Sequence, residues 1–235
     1  MVDHVDQNPK DMVPVIQEFK KLIETNTRLR LLFSTMFEQI PKKKPYTKDP
    51  SGQIKQIRDY EHMLQVLNHL ITTAPGWNDK SHRTGMVGLP INALLDWPMA
   101  THSGFAVFLD PGVNAILKKV LNAWGEYLQS PDSAAVLDDS DAGWFGKVGS
   151  KDLTETANVG ETSHQFHELF HCDPSKKHHG FKSWDDFFTR LFRFDEGIRP
   201  VASPDDDNVV ANPCESKPYK VAHNIGRLEK FWLKG

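Results

Sequence analysis

The stretch Val13–Pro41, VPVIQEFKKLIETNTRLRLLFSTMFEQIP, decides the fold class. Its apolar residues fall at Val15, Ile16, Phe19, Leu22 and Ile23, then at Leu29, Leu32, Phe33, Met36, Phe37 and Ile40. Steps of three and four residues place them on one face of a helix. Thr25-Asn26-Thr27 is a break, with Thr27 expected to cap a second helix. Pro41 and Pro45 close the segment. The same periodicity returns from Ile54 to Ile71, ahead of Pro75-Gly76, and from about Val113 through Leu128. Short helices are expected at 90–98 and 102–109, divided by Pro98 and Gly104. Helical character should resume by about Ser163 and end at Pro174. In SWDDFFTRLF, Ser183 is a cap with Asp186 in the capping-box position.

Beyond Gly197 the texture changes. IRPVASPDDDNVVANPCESKPYKV is rich in Pro, Asn and Asp, with short Val pairs that suggest loops and short strands. The expected fold is therefore mainly α: a multi-helix N-terminal domain over residues 1–180, then a linking helix and a short mixed, β-like tail over 181–235.

The 235 residues are 39% hydrophobic and 25% charged, enough to bury a core. The net charge of -3 implies no basic face, so nucleic acid is not the expected partner. Lys42-Lys43-Lys44, between two prolines, reads as a solvated loop. No run of 18 apolar residues is present, and the N-terminus lacks an apolar signal segment. Two cysteines, Cys172 and Cys214, make no disulfide framework, which fits a reducing, cytoplasmic setting.

One motif suggests chemistry. His167-Glu168-Leu169-Phe170-His171 has the H-E-x-x-H spacing, which on a helix lets two imidazoles grip one zinc ion while the glutamate activates water. With His164, the three histidines would lie within about 60° of one another on a helical wheel, opposite Phe166, Leu169 and Phe170. A catalytic zinc needs a third ligand. The extended form of the motif would put Gly and His where Pro174 and Lys177 stand, and Glu196 lies in a loop-like sequence. Surface histidines on an amphipathic helix are the favoured reading. A zinc-binding protein or a metallohydrolase, using this motif or the His178-His179 pair, is the alternative.

Four segments together carry a resemblance: PVIQEFKKLIE…FSTMFEQI at 14–40, GFAVFLDPGVNAILKKVLNAWGEYLQS at 104–130, GFKSWDDFFTRLFR at 180–193, and IRPV…VVANPCES at 198–216. The chain resembles the N-terminal portion of the phosphatidylserine decarboxylase-like proteins, in the branch of the fungal L-tryptophan decarboxylases. The resemblance implies pyruvoyl-dependent decarboxylation. In such enzymes a chain serine cleaves its own preceding peptide bond and becomes a pyruvoyl group, whose conjugated carbonyl takes up the electrons released with CO2. A carboxylate–histidine–serine set drives the self-cleavage.

By this resemblance Glu215, in Pro213-Cys214-Glu215-Ser216, is the catalytic carboxylate, where many members have Asp. The family's Tyr-His and Gly-Ser-Ser segments are not found before Gly235. The stretch is therefore expected to be inactive by itself, holding no cofactor of its own. Its implied partner is the catalytic part of a decarboxylase, and its substrate phosphatidylserine or an aromatic amino acid such as tryptophan. An accessory domain, a truncated product and a fragment all fit. Cys214 as a nucleophile is disfavoured, because Glu215 beside it would raise its pKa. Trp144 and Trp184 are read as core residues rather than as the lining of an aromatic pocket.

Overall fold

The computed structural model describes residues 2–42, 57–79, 82, 88–211 and 221–230. The chain divides into two compact units, Met1–Arg193 and Phe194–Gly235.

The first unit is a helical assembly. It begins with α1 (Val2–Gln7), α2 (Pro14–Thr25), α3 (Thr27–Glu38) and α4 (Tyr60–Leu70). There follow α5 (Pro90–Met99), α6 (His102–Phe108) and α7 (Pro111–Gln129). A 3-10 turn at Pro131–Val136 leads to α8 (Lys147–Ala157), α9 (Phe166–Leu169) and α10 (Trp184–Phe188). Mainly α architecture is thus borne out, and the 13–41 periodicity yields two helices as expected. The cap between them is Asn26, not Thr27. The Asn26 side chain accepts from Leu29 N at 3.1 Å, which makes Thr27 the first residue of α3.

Helix starts follow local chemistry elsewhere. Asp59 caps α4 by accepting from His62 N at 2.7 Å, so Ile57 precedes the helix expected to include it. Asp110 caps α7 through Gly112 N and Val113 N, with Pro111 in the first turn, where a missing N–H costs nothing. Ser183 caps α10 as expected, accepting from Asp186 N at 3.1 Å. The reciprocal half of the box goes elsewhere: Asp186 accepts from Lys182 N at 2.9 Å.

Two apolar centres hold this unit. The first is built by α1 to α7. Ile16, Phe19, Ile23, Phe33, Met36, Leu64, Leu67 and Val107 are essentially without solvent contact in it. Gly104 lets α6 turn tightly after α5, since a Cβ there would stand 1.8 Å from the Pro98 carbonyl oxygen. The second centre is aromatic. Trp144, Phe166, Phe170, Phe181, Trp184 and Phe187 are all buried. Trp144 and Trp184 are therefore core residues, as read from sequence. Trp144 donates from Nε1 to Pro75 O at 2.6 Å, and Trp77 N donates to Ala142 O at 2.8 Å.

Helix α8 is not expected from the sequence. It has few apolar positions and buries only Gly149, so periodicity carries almost no signal there.

In the second unit a 3-10 turn at Phe194–Glu196 is followed by hydrogen-bonded turns, including Asp206 N to Ser203 O at 3.1 Å and Val209 N to Asp206 O at 3.0 Å. The described residues of this tail contain no strand, in place of the short strands anticipated. Val209 and Val210 stand exposed rather than paired across a sheet. Phe231 and Trp232, the aromatic residues at the end of the tail, lie outside the described residues.

The junction of α1 and α4 is sensitive to pH. Arg58 grips Asp6 with two hydrogen bonds of 2.9 Å. His62 is buried beside them and accepts from Arg58 N at its Nδ1, so its Nε2 carries the proton. Nε2 lies 3.3 Å from Asp6 Oδ1 without hydrogen-bond alignment. Burial holds the His62 pKa below its ordinary value, outweighing the pull of Asp6. Burial does the same for His69 and His179. Each favours the neutral ring in the folded state. Their contribution is complete above the unfolded histidine pKa of about 6.5 and is lost as pH falls below it. The hydrogen bonds from Arg58 lower the Asp6 pKa, which acts in the same direction at still lower pH. The urea midpoint should therefore fall between about pH 7.5 and about pH 5, and His62→Gln should flatten part of that slope. A midpoint that rises on acidification would contradict this assignment.

Candidate functional site

The sequence points to two places. Glu215, with Pro213, Cys214 and Ser216, lies outside the described residues. The H-E-x-x-H segment is described, and its helical premise does not hold. Helix α9 ends at Leu169, and Phe170 is extended at φ -121° and ψ 149°. The competing structure is a short antiparallel pairing with the segment after α10. His171 N donates to Leu191 O at 3.0 Å, Arg193 N donates to Leu169 O at 2.9 Å, and Phe170 bridges Phe192. His171 therefore does not sit one helical turn above His167. Glu168 is taken up by a capping box, accepting from Gln165 N at 2.7 Å. Asn158 accepts from His164 N at 2.8 Å and donates to His164 O at 2.9 Å, which holds that residue in an extended lead-in before the helix. Among the described residues no three His, Cys, Asp or Glu side chains converge as a metal would require. The apolar side of the segment behaves as expected, since Phe166, Leu169 and Phe170 are all buried.

The structure instead brings Arg190 into prominence. Its guanidinium lies over three rings, 4.5 Å from the Phe170 centroid, 4.7 Å from Phe187 and 5.6 Å from Phe166. Cation–π attraction of this kind offsets part of the cost of removing a cation from water. Burial still dominates, pushing the Arg190 pKa down to about 10. Among the described residues its single hydrogen bond runs from Nη1 to Phe187 O at 3.0 Å, and its Nε is shielded from solvent with no acceptor.

Arg190 faces a cleft of about 580 Å3 that is also lined by His171, Cys172, Asp173, Lys176 and Asp186. The tight turn at its rim is made by His178 and His179, both at φ 53°, and Gly180 at φ 87°. His178 Nδ1 bonds Leu137 O at 2.6 Å, and His179 stacks on Phe145 at 3.8 Å. These partners fix the turn and account for the paired histidines without a metal. Burial raises the Cys172 pKa, with Arg193 and Arg190 opposing weakly, so the thiol is no activated nucleophile.

Arg190 is not among the residues the sequence marks as functional. The available signal was its place three residues after Phe187, in a segment whose sequence reads as helical although the helix itself ends at Phe188. Phe166 and Phe170 arrive from far along the chain, and nothing local announces them.

Comparison with known proteins now bears on the whole chain. The family model described as phosphatidylserine decarboxylase matches residues 13–153, which include helices α2 to α7 of the first apolar centre. The chain belongs to the phosphatidylserine decarboxylase family. Three relatives within reach of this family chain are fungal. The decarboxylase iboD of Amanita muscaria is 38% identical over 149 residues, covering 63% of this chain and 41% of the relative. The L-tryptophan decarboxylase of Psilocybe cubensis is 29% identical over 234 residues, 97% of this chain and 48% of its own length. That of Psilocybe cyanescens is 30% identical over 226 residues, 94% and 46%. The chain thus spans under half the length of the curated relatives it matches. Among the described residues of this phosphatidylserine decarboxylase family member, no helix is long and apolar enough to cross a membrane.

Proposed function

We propose that this chain is the N-terminal portion of a pyruvoyl-dependent decarboxylase acting on an aromatic L-amino acid such as tryptophan. The observation that carries this reading is the match along 97% and 94% of the chain to two proteins named L-tryptophan decarboxylase. It extends past the helical unit into the tail that contains Glu215. In this reading residues 1–180 are the family's helical domain. Residues 181–235 link it to, and begin, the catalytic domain. Glu215 is the carboxylate of the self-cleavage set, and the rest of the decarboxylase is the partner. The setting is cytoplasmic.

The pyruvoyl group derives from a serine in a Gly-Ser-Ser-type segment, which is not found in Met1–Gly235. In this reading no chemical step is assigned to the described residues. Their contribution is a folded helical body.

The test compares two polypeptides. The stretch Met1–Gly235, expressed by itself, should stay one 26.7 kDa species and release no CO2 from tryptophan. The product of the full reading frame should split into two chains, one with a carbonyl-reactive N-terminus, and should convert tryptophan to tryptamine. Glu215→Gln in that longer protein should leave it unsplit. Turnover without a carbonyl-reactive terminus would overturn the pyruvoyl reading. Turnover of phosphatidylserine in preference to tryptophan would overturn the substrate assignment.

A further inference from the structure

A half-buried guanidinium without a counter-ion is costly, and Arg190 is in that state, with its Nε shielded from solvent. Among the described residues no carboxylate pairs with it, and its one acceptor is Phe187 O. The other charges of the cleft are unevenly committed. Asp173 is occupied, with Oδ1 accepting from Ser175 N and Oγ and Oδ2 lying 3.3 Å from Lys176 Nζ. Asp186 uses Oδ2 for Lys182 N, and among the described residues no hydrogen bond reaches its Oδ1. Arg190 and Asp186 line the same cleft four positions apart, without pairing with each other.

We infer that the Arg190 cleft binds the zwitterionic end of an α-amino acid, with the carboxylate on the Arg190 guanidinium and the ammonium on Asp186. Charge balance favours this ligand over a phosphate dianion. The cleft is lined by two cations, Lys176 and Arg190, and two carboxylates, Asp173 and Asp186, whose charges cancel. After Lys176 and Asp173 satisfy each other, one open cation and one open anion are left. A dianion would meet Asp186 unshielded, whereas a zwitterion complements both charges. A guanidinium suits a carboxylate in particular, through charge-assisted hydrogen bonds to its oxygens. The volume of about 580 Å3 lies in the range of small-molecule sites. The buried Phe181 ring adds an apolar wall for a side chain.

The same α-amino-acid chemistry belongs to free tryptophan and to a serine head group, and the test separates them. The site is built from residues 171–191 alone, so it does not rest on the decarboxylase reading, and binding is measured without turnover. Alkylation of Cys172, a thiol lining the cleft, reports occupancy by peptide mass mapping. L-Tryptophan at about 10 mM should slow that alkylation, whereas tryptamine and indole-3-acetate, each lacking one of the two charges, should not. O-Phospho-L-serine protecting better than tryptophan, with inorganic phosphate giving no protection, would support the site and assign it to a serine head group, whereas protection by inorganic phosphate would overturn the inference. Asp186→Asn, an exposed substitution, and Arg190→Lys should each weaken protection about tenfold or more. Should Arg190→Lys fail to fold, Asp186→Asn and the two single-charge analogues still decide the matter. Protection by neither amino acid, or equal protection by tryptamine or indole-3-acetate, would overturn the inference.

Discussion

Phe187→Ala should destabilise the helical unit by about 3–5 kcal/mol, the range for emptying a buried aromatic site. Phe187 has almost no solvent contact and is the hub of the aromatic centre. Its ring lies 5.3 Å from Trp144, 5.5 Å from Phe181 and 5.6 Å from Phe145. It also carries the Arg190 guanidinium at 4.7 Å, so truncation removes packing and a cation–π partner together. The centre cannot collapse easily onto the gap, because its rings come from separate turns fixed by their own backbone bonds. Phe187→Leu keeps most of the volume and should cost about 1–2 kcal/mol. Urea unfolding followed by tryptophan emission is a suitable measure, since Trp144 adjoins the site. A loss below about 1 kcal/mol for the alanine variant would show that the aromatic centre contributes little to stability.

Phe33→Ala should have an effect of the same size, about 3–5 kcal/mol, through the other centre. Phe33 is fully buried, and its ring meets Phe19 edge-on at 5.8 Å and 79°. That pair joins α3 to α2, and α3 also packs on α6. Leu31, only two residues away, is 64% exposed, so Leu31→Ala should shift the urea midpoint by no more than about 0.5 kcal/mol equivalent. The contrast tests helical phase directly. Two losses of equal size would mean that α3 is rotated relative to the arrangement described.

The helices of the first centre were legible because each carries its signal locally. In α2 and α3 the three- and four-residue spacing names the buried face, and Ile16, Phe19, Ile23, Leu29, Phe33 and Met36 all lie on it. The second centre was only partly legible, because its decisive contacts are not periodic. Phe166 and Phe170 read correctly as apolar, but the pairing of Phe170 with Phe192 joins residues 22 apart and stops a helix that the local pattern would continue. The same pairing breaks the H-E-x-x-H geometry, a motif that depends wholly on helical phase. Helix α8 was invisible because it buries almost nothing, so no apolar stripe records it. Arg190 was missed for the opposite reason: arginine is expected outside, and what holds it against the core is three ring faces, two of them from a distant segment. Glu215 was reached only through likeness to a family, and its surroundings lie outside the described residues.

The paired bonds between residues 75–77 and 142–144 have a kinetic side. Trp77 N to Ala142 O and Trp144 Nε1 to Pro75 O join segments separated by nearly seventy positions, with α5, α6 and α7 contained in the span. Closing a loop of that length costs on the order of 4 kcal/mol in chain entropy before either bond forms. Helices α2 and α3, joined through one residue, face no such barrier. A chain that must make this closure folds more slowly than its helical content alone would suggest, because distant pairings rather than helix formation set the pace. Once made, the closure makes the intervening helices a loop with tethered ends. Opening one end then releases the other, so the two segments should part in a single kinetic step.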